Sequence, residues 1–357
     1  MKNITQPTLL IDHEKGVSNI RKMKQKADDS GVIFRPHFKT HQNQEVGQWF
    51  RKEGVSKITV SSVAMAEEFT HQGWEDITIA FPINLRELDK INRLAQNFRI
   101  IVLVDSLYST QILNQQIQHP IKVMVKIDVG YQRCGLVPSD PEIDQIIDEI
   151  AASTPLTFGG FLTHAGHTYQ AKGHAEILDI IQASKRQLME LKHHYERFHP
   201  EFILSYGDTP SCSLAPHFHG FDEIRPGNFV YYDVMQFHLG SCSLNQIAVA
   251  VACPVVSVTP NENKMVIYGG GVHLSKEHID ADNGFKLFGY VVRLDENLRW
   301  GEPIAGAYVY SLSQEHGLIH MPKTELETFN PGDLVGILPI HSCMTANLLK
   351  ENTLIIN

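Results

Sequence analysis

Three short stretches of this chain carry residue types suited to chemistry. The first is Arg35-Pro-His-Phe-Lys39, which closes an apolar run starting at Val32 and continues into Thr40 and His41. A lysine at such an edge would be partly desolvated, with imidazoles at His37 and His41 nearby. Both effects lower an amine's pKa and suit Schiff-base chemistry. The same placement also fits a strand-end lysine whose stem lies on apolar surface while its charge reaches solvent. The second stretch is Tyr206-Gly-Asp-Thr-Pro-Ser211. Gly207 followed by the hydroxyls of Thr209 and Ser211 can wrap a phosphate with N–H and O–H donors, and it can equally be an ordinary capped turn into a helix. The third is His341-Ser-Cys343. In an extended strand residues i and i+2 share a face, and imidazole with thiolate suits Zn²⁺ while leaving positions open for water or substrate. A buried cysteine beside a hydrogen-bonded histidine would look the same.

The elements that must position these residues follow a rhythm. Apolar strand-like segments at Val32–Lys39, Lys57–Ser62, Asp76–Pro82, Arg99–Asp105, Lys122–Asp128, Thr157–His164, Glu201–Gly207 and Glu223–Tyr231 alternate with longer segments. Helical spacing of apolar residues marks Ala64–Gln72, Leu85–Gln96 (with Asn84 as N-cap), Glu142–Ala152 and Ala175–Arg197. About eight β-then-α units in about 230 residues predict a closed (β/α)8 TIM barrel. An open doubly wound sheet would be expected to carry Gly-x-Gly-x-x-Gly after its first strand, and Arg35–Lys39 stands there instead. Chemistry in such barrels sits at the C-terminal ends of the strands, where this chain places Lys39, Ser62, Asp105, Asp128, His164 and Gly207.

Beyond about residue 236 helical periodicity fades and short β-type runs separated by turn signals take over, such as Pro260-Asn-Glu-Asn263 and Pro331-Gly-Asp333. The reading is a barrel over residues 12–236 and an all-β second domain over 237–357, to which the stranded N-terminal segment of residues 1–11 adds a strand.

Composition narrows the classes. A net charge of −9 with no dominant Lys/Arg run gives no nucleic-acid footprint. The N-terminus lacks a signal-peptide layout, and no apolar run reaches the roughly 20 residues of a membrane span. Five scattered cysteines, an odd number without a CxxC, argue for a reducing compartment, hence a cytoplasmic protein.

Taken together these segments resemble the D-serine dehydratase and D-threonine aldolase group of fold-type III pyridoxal-phosphate (PLP) enzymes, which share the alanine racemase-like barrel. Besides Arg35–His41, the resemblance runs through Asp128-Val-Gly-Tyr-Gln-Arg-Cys-Gly135, His164-Ala-Gly-His-Thr-Tyr169, Tyr206–Ser211, Arg225–Asp233, Ser313-Gln-Glu-His-Gly317 and Pro339–Thr345, in family order across nearly the whole chain. It implies PLP held as a Schiff base on Lys39, with Arg133 and Tyr169 around the cofactor ring. It places the cofactor phosphate on the loop of Gly207, Thr209 and Ser211, and adds Tyr231 as a further cofactor-binding candidate. It implies a divalent metal on His341 and Cys343, the all-β second domain, and a head-to-tail homodimer acting on a small D-amino acid.

The chain departs from the aldolases at Cys343, where they usually carry aspartate. Thiolate is softer than carboxylate and biases the site toward Zn²⁺, so Cys343 tilts the expectation from aldol cleavage to dehydration. In that reaction Lys39 removes the α-proton and the β-hydroxyl departs with the help of the metal on His341 and Cys343. D-serine would yield pyruvate and ammonia, and D-threo-3-hydroxyaspartate would yield oxaloacetate and ammonia. The alternatives are an aldolase using His164 or His167 as base, a racemase, and a non-catalytic PLP-binding protein of the single-barrel kind. His273, Arg293 and His316 are candidate substrate-side residues that the sequence alone does not place.

Overall fold

The computed structural model describes residues 4–280 and 284–357, so the first three residues of the expected 1–11 segment lie outside it. The chain divides into two compact units. One comprises residues 22–39 and 44–227; the other comprises the N-terminal residues up to Arg21, Thr40–Asn43 and Asn228–Asn357. Three pieces expected in the barrel domain therefore go with the second unit. Polar side chains bind them there. Asn19 Nδ2 donates to the carbonyl of Gln246 at 2.8 Å, the Thr40 hydroxyl lies 3.2 Å from Cys343 Sγ, and Asn228 Nδ2 donates to Ser342 Oγ at 3.0 Å.

The first strand, β1 (Thr8–Asp12), belongs to the second unit. The first unit is built on eight parallel strands: β2 (Ile33–Phe34), β3 (Lys57–Val60), β4 (Asp76–Pro82), β5 (Arg99–Val104), β6 (Ile121–Ile127), β7 (Leu156–Thr163), β8 (Ile203–Tyr206) and β9 (Glu223–Ile224). Their order is β2-β9-β8-β7-β6-β5-β4-β3, and a parallel bridge between His37 and Thr59 joins the two ends. This is the expected barrel. Its interior includes a cluster of Ile101, Leu103, Met124 and Leu162.

The outer strands are shorter than their apolar runs. Val32–Lys39 was expected to be one strand, yet regular pairing with β9 stops at Phe34, because Pro226 has no N–H to return to the carbonyl of Arg35. The segment still threads its neighbours: Arg35 N–H donates to Ile224, His37 N–H to Pro226, and Phe38 N–H to Thr59. Glu223–Tyr231 likewise pairs only as far as Ile224, and Asn228–Val230 turn into a short 3-10 helix. The expected helices form at Val63–His71, Glu142–Ala151 and His174–Tyr195. Asn84 caps the Leu85–Glu87 turn that precedes Leu88–Ala95.

The barrel interior carries charge as well as apolar side chains. Arg35 Nε meets Glu223 Oε2 at 2.6 Å, and its Nη1 meets Asp76 Oδ1 at 2.6 Å. Ser205 Oγ donates to Glu223 Oε1 at 2.6 Å and accepts from Arg225 Nε at 2.7 Å. The buried guanidinium of Arg35 is thus matched by two carboxylates, which is what a charge taken out of water requires.

The second unit follows the all-β expectation, with strands β10 (Val249–Thr259), β11 (Lys264–Tyr268), β12 (Ile279–Asp280), β13 (Lys286–Leu287), β14 (Gly289–Leu294), β15 (Trp300–Leu312), β16 (His316–His320), β17 (Leu334–Pro339) and β18 (Thr353–Ile356). An eight-stranded sheet runs β11-β16-β15-β14-β17-β10-β1-β18. The N-terminal segment enters it as read from the sequence: β1 pairs antiparallel with β10 and parallel with β18. Leu10, Ala252, Leu298 and Ile356 form a core cluster against it.

Candidate active site

In the first unit Lys39 follows Phe38, which is fully buried in an aromatic box. Its ring lies 5.0 Å from Phe50, 5.1 Å from Phe69 and 4.9 Å from Trp74. The box anchors the backbone while Lys39 itself is exposed, in a turn rather than on a strand. The expected partial burial of the amine is therefore not found: the apolar run ends one residue earlier, at Phe38.

His164 is the half-buried residue that ties this region together. Its Nδ1 lies 2.7 Å from the carbonyl oxygen of Gly207. A carbonyl only accepts, so Nδ1 carries the proton and Nε2 is an acceptor. Burial, and then the charge of Lys39, hold its pKa well below the usual imidazole value. Tyr131 stands edge-on to His164 at 5.8 Å, stacks on His167 at 6.4 Å, and carries the Arg133 guanidinium over its face at 5.0 Å. Tyr169 lies 6.4 Å from His164. A side chain at Gly166 would collide with the Tyr131 ring, so glycine is needed there. The loop bearing Tyr131 and Arg133 is pinned at its base by hydrogen bonds between Leu136 and the backbone of Lys126 and Asp128.

Asp208 is the N-cap of the helix Thr209–Leu214 and accepts from Ser211 N–H at 2.7 Å and from the Thr168 hydroxyl at 3.0 Å. Burial lifts its carboxyl to about 6. Ser211 uses its hydroxyl on Tyr206 at 2.8 Å. Thr209 Oγ1 is buried without a partner. A Cβ at Gly207 would lie 3.0 Å from the Arg225 backbone. An orphaned hydroxyl beside a glycine with no room for a side chain fits a phosphate, with Thr209 as the available donor and Ser211 turned inward. Lys126 adds a buried cation. Burial lowers its pKa to about 8, and Arg225 and Arg133 push the same way against Cys134 and Asp128.

The second unit holds Tyr231, His341 and Cys343. Here the sequence expectation is corrected. The His-x-Cys pair does not lie on an extended strand: β17 ends at Pro339, His341 is the N-cap of the helix Ser342–Leu348, and Cys343 is in its first turn. The two side chains still meet, because the corner is fixed through the residue between them. Buried Asp233 accepts from Ser342 N–H at 2.9 Å, from the Ser342 hydroxyl at 3.2 Å and from Asn228 Nδ2 at 2.6 Å. His341 Nδ1 contacts Glu277 Oε2 at 2.7 Å. Burial opposes a charge on His341, but hydrogen bonds to Cys343 and Glu277, with the Cys343 charge and then Asp233, raise its pKa to about 11. Tyr231 Oη is fully buried with no partner, and burial, then Cys343, raises its pKa. Imidazole facing thiol, with a carboxylate behind the imidazole, is a donor set that fits a soft divalent metal. Among the described residues no group of three His, Cys, Asp or Glu side chains gathers around a common point.

Tyr131, Lys126, Asp208, Asn228, Asp233 and Glu277 escaped the sequence reading as site residues. Tyr131, Asp208, Asn228 and Asp233 lie inside motifs that the resemblance had marked; Lys126 and Glu277 lie in none. Of the substrate-side candidates, Arg293 pairs with Glu325, His273 lies 3.6 Å from Glu315, and His316 opens β16.

A parallel barrel with a lysine at its strand ends, followed by a β unit with a His-x-Cys corner, defines a fold-type III PLP enzyme. The chain belongs to the alanine racemase N-terminal domain family, which matches residues 11–234; residues 248–355 match the putative serine dehydratase domain. It is 29% identical to the D-serine dehydratase of Dictyostelium discoideum, over 100% of this chain and 95% of the other. It is 26% identical to the D-threo-3-hydroxyaspartate dehydratase of Delftia sp., over 95% and 91%. The solved structure of that Delftia protein superposes with a TM-score of 0.88 at 25% identity, over 97% of this chain and 93% of that one. A cysteine-to-alanine variant of it has been solved in the metal-free form. An aldolase also appears among the relatives: the 3-hydroxy-D-aspartate aldolase of Paracoccus denitrificans is 27% identical over 64% of this chain and 61% of its own. These dehydratases and aldolases are PLP-dependent lyases. Among the described residues no helix is long and apolar enough to cross a membrane.

Proposed function

We propose that this chain is a PLP- and zinc-dependent dehydratase that converts a D-3-hydroxy amino acid, such as D-serine or D-threo-3-hydroxyaspartate, to a 2-oxo acid and ammonia. The observation that carries the reading is the cysteine facing His341 at the corner after β17: a thiol there, rather than a carboxylate, favours zinc. When bound, PLP would take up the electron pair left at Cα, and zinc would act as a Lewis acid toward the β-oxygen.

The chain's own residues supply the rest. The Lys39 amine holds the cofactor and, once displaced by the substrate amine, takes the proton from Cα. Phe38, locked in its aromatic box, fixes the backbone from which Lys39 works. Gly207 and Thr209 receive the phosphate, with the His164 ring bonded to the same loop. Arg133 and Tyr169 flank the ring region, and Tyr231 places a buried phenol near Cys343. His341 and Cys343 hold the zinc. The active form is a homodimer, in line with the family resemblance, and Met344 and Leu348 present exposed apolar side chains four residues apart. A cytoplasmic setting agrees with the five cysteines, none of which forms a disulfide.

Product analysis tests the reading. PLP- and zinc-loaded protein is incubated with D-serine, D-threonine and D-threo-3-hydroxyaspartate, and 2-oxo acid, ammonia and glycine are assayed together. Ammonia with 2-oxo acid, lost on chelation and in Lys39→Ala, is expected. Glycine with an aldehyde would replace the dehydratase by an aldolase.

A further inference from the structure

His341 has two ring nitrogens, and the structure commits one of them to a carboxylate. Nδ1 lies 2.7 Å from Glu277 Oε2. With Nδ1 so engaged, Nε2 is the ring nitrogen left for a metal ion. Two carboxylates lie near the ring, and their bonds separate their tasks. Asp233 is committed to the Ser342 N–H, the Ser342 hydroxyl and Asn228, so it holds the corner in place. Glu277 is the carboxylate that bonds the ring.

We propose that Glu277 is a positioning residue for the metal: by accepting the Nδ1 proton of His341 it fixes the tautomer and turns Nε2 toward a divalent ion shared with Cys343. The inference rests on the reading that His341 and Cys343 hold that ion. A carboxylate behind a ligating imidazole orients the ring and makes its other nitrogen more basic, and removing such a partner lowers metal affinity about 10–100-fold. Glu277 is well placed to do this without supporting the fold. Its side chain is 49% exposed, and it stands in a loop where its own N–H bonds Ser275 Oγ at 3.3 Å. Nothing in the motif around His341 signals it, since the two residues are 64 positions apart.

The test is a zinc competition titration against a chromophoric chelator, on PLP-loaded full-length protein. The natural chain, Glu277→Ala, Glu277→Gln and His341→Ala are compared. Glu277→Ala is expected to weaken zinc binding about 10–100-fold, with the PLP absorbance of the zinc-free protein unchanged and its melting still cooperative. Glu277→Gln keeps an acceptor without the charge and should fall between. With cobalt at saturation, the thiolate-to-metal charge-transfer band should persist in Glu277→Ala, because Cys343 still binds. Equal zinc affinity in the natural chain and Glu277→Ala would overturn the role of Glu277 and leave the metal site standing. Equal affinity in the natural chain and His341→Ala would instead overturn the metal reading, and Glu277 with it.

Discussion

Asp208 shows how a single buried side chain can work against the protein that contains it. Its carboxyl sits at about 6 instead of the ordinary 3.8, because burial penalises the charged form more than its hydrogen bonds repay it. A raised carboxyl stabilises the fold while protonated. The benefit is complete below pH 4 and disappears as pH rises through 6. Asn caps a helix as well as Asp does, so Asp208→Asn should remove the penalty and keep the cap. Denaturant unfolding of the cofactor-free protein should show the variant more stable by about 2–3 kcal/mol at pH 8, and no different at pH 4. At the same scale, His164 has its single proton on Nδ1, bonded to Gly207, so it cannot donate from Nε2 as a neutral ring. It can accept a proton there, which is the only acid–base role its geometry allows.

The elements explain why Lys39 can be exposed and still well placed. Its turn is tied to the segment after β9 through His37 and Pro226 and to β3 through Phe38 and Thr59, and Phe38 fills the aromatic box beneath it. Phe38→Ala should empty that box at a cost of about 3–5 kcal/mol. The damage should reach the cofactor site: on a thermal scan the PLP absorbance is expected to be lost at a lower temperature than in the natural chain. Unchanged PLP retention in a destabilised variant would separate the box from the lysine. The Arg35–Glu223–Ser205–Arg225 chain works with the box, because it fixes the strand from which the lysine turn springs.

For the whole molecule, the N-terminal strand matters more than its length suggests. β1 lies between β10 and β18, and Leu9, Leu10 and Ile11 are each at most 1% exposed. Deleting the chain through Asp12 would strip β18 of its partner and remove three core side chains whose burial contributes about 1.5–3 kcal/mol each. Such a loss approaches the whole stability of an ordinary domain. The truncated chain is expected to lose cooperative melting by circular dichroism and to aggregate. A soluble, cooperatively folding product would show that the sheet holds without β1.

The sequence alone determined the barrel, the β unit and the motifs of the site. Period-two and period-3.6 patterns report which faces must be buried, and Lys39, Gly207, Thr209, His341 and Cys343 lie in contiguous stretches whose residue types limit their chemistry. Strand ends were read too long wherever proline broke the ladder: an apolar run records burial, not pairing, and Pro36 and Pro226 withdraw N–H groups without interrupting the run. Only the tertiary structure decided the partners. That the His-x-Cys pair sits on a corner held by Asp233, that Glu277 stands behind His341, and that Ser211 is spent on Tyr206 while Thr209 is not, all depend on residues brought together by the fold. Local sequence carries the geometry of one element, whereas a hydrogen bond between positions 277 and 341 exists only once both loops are in place.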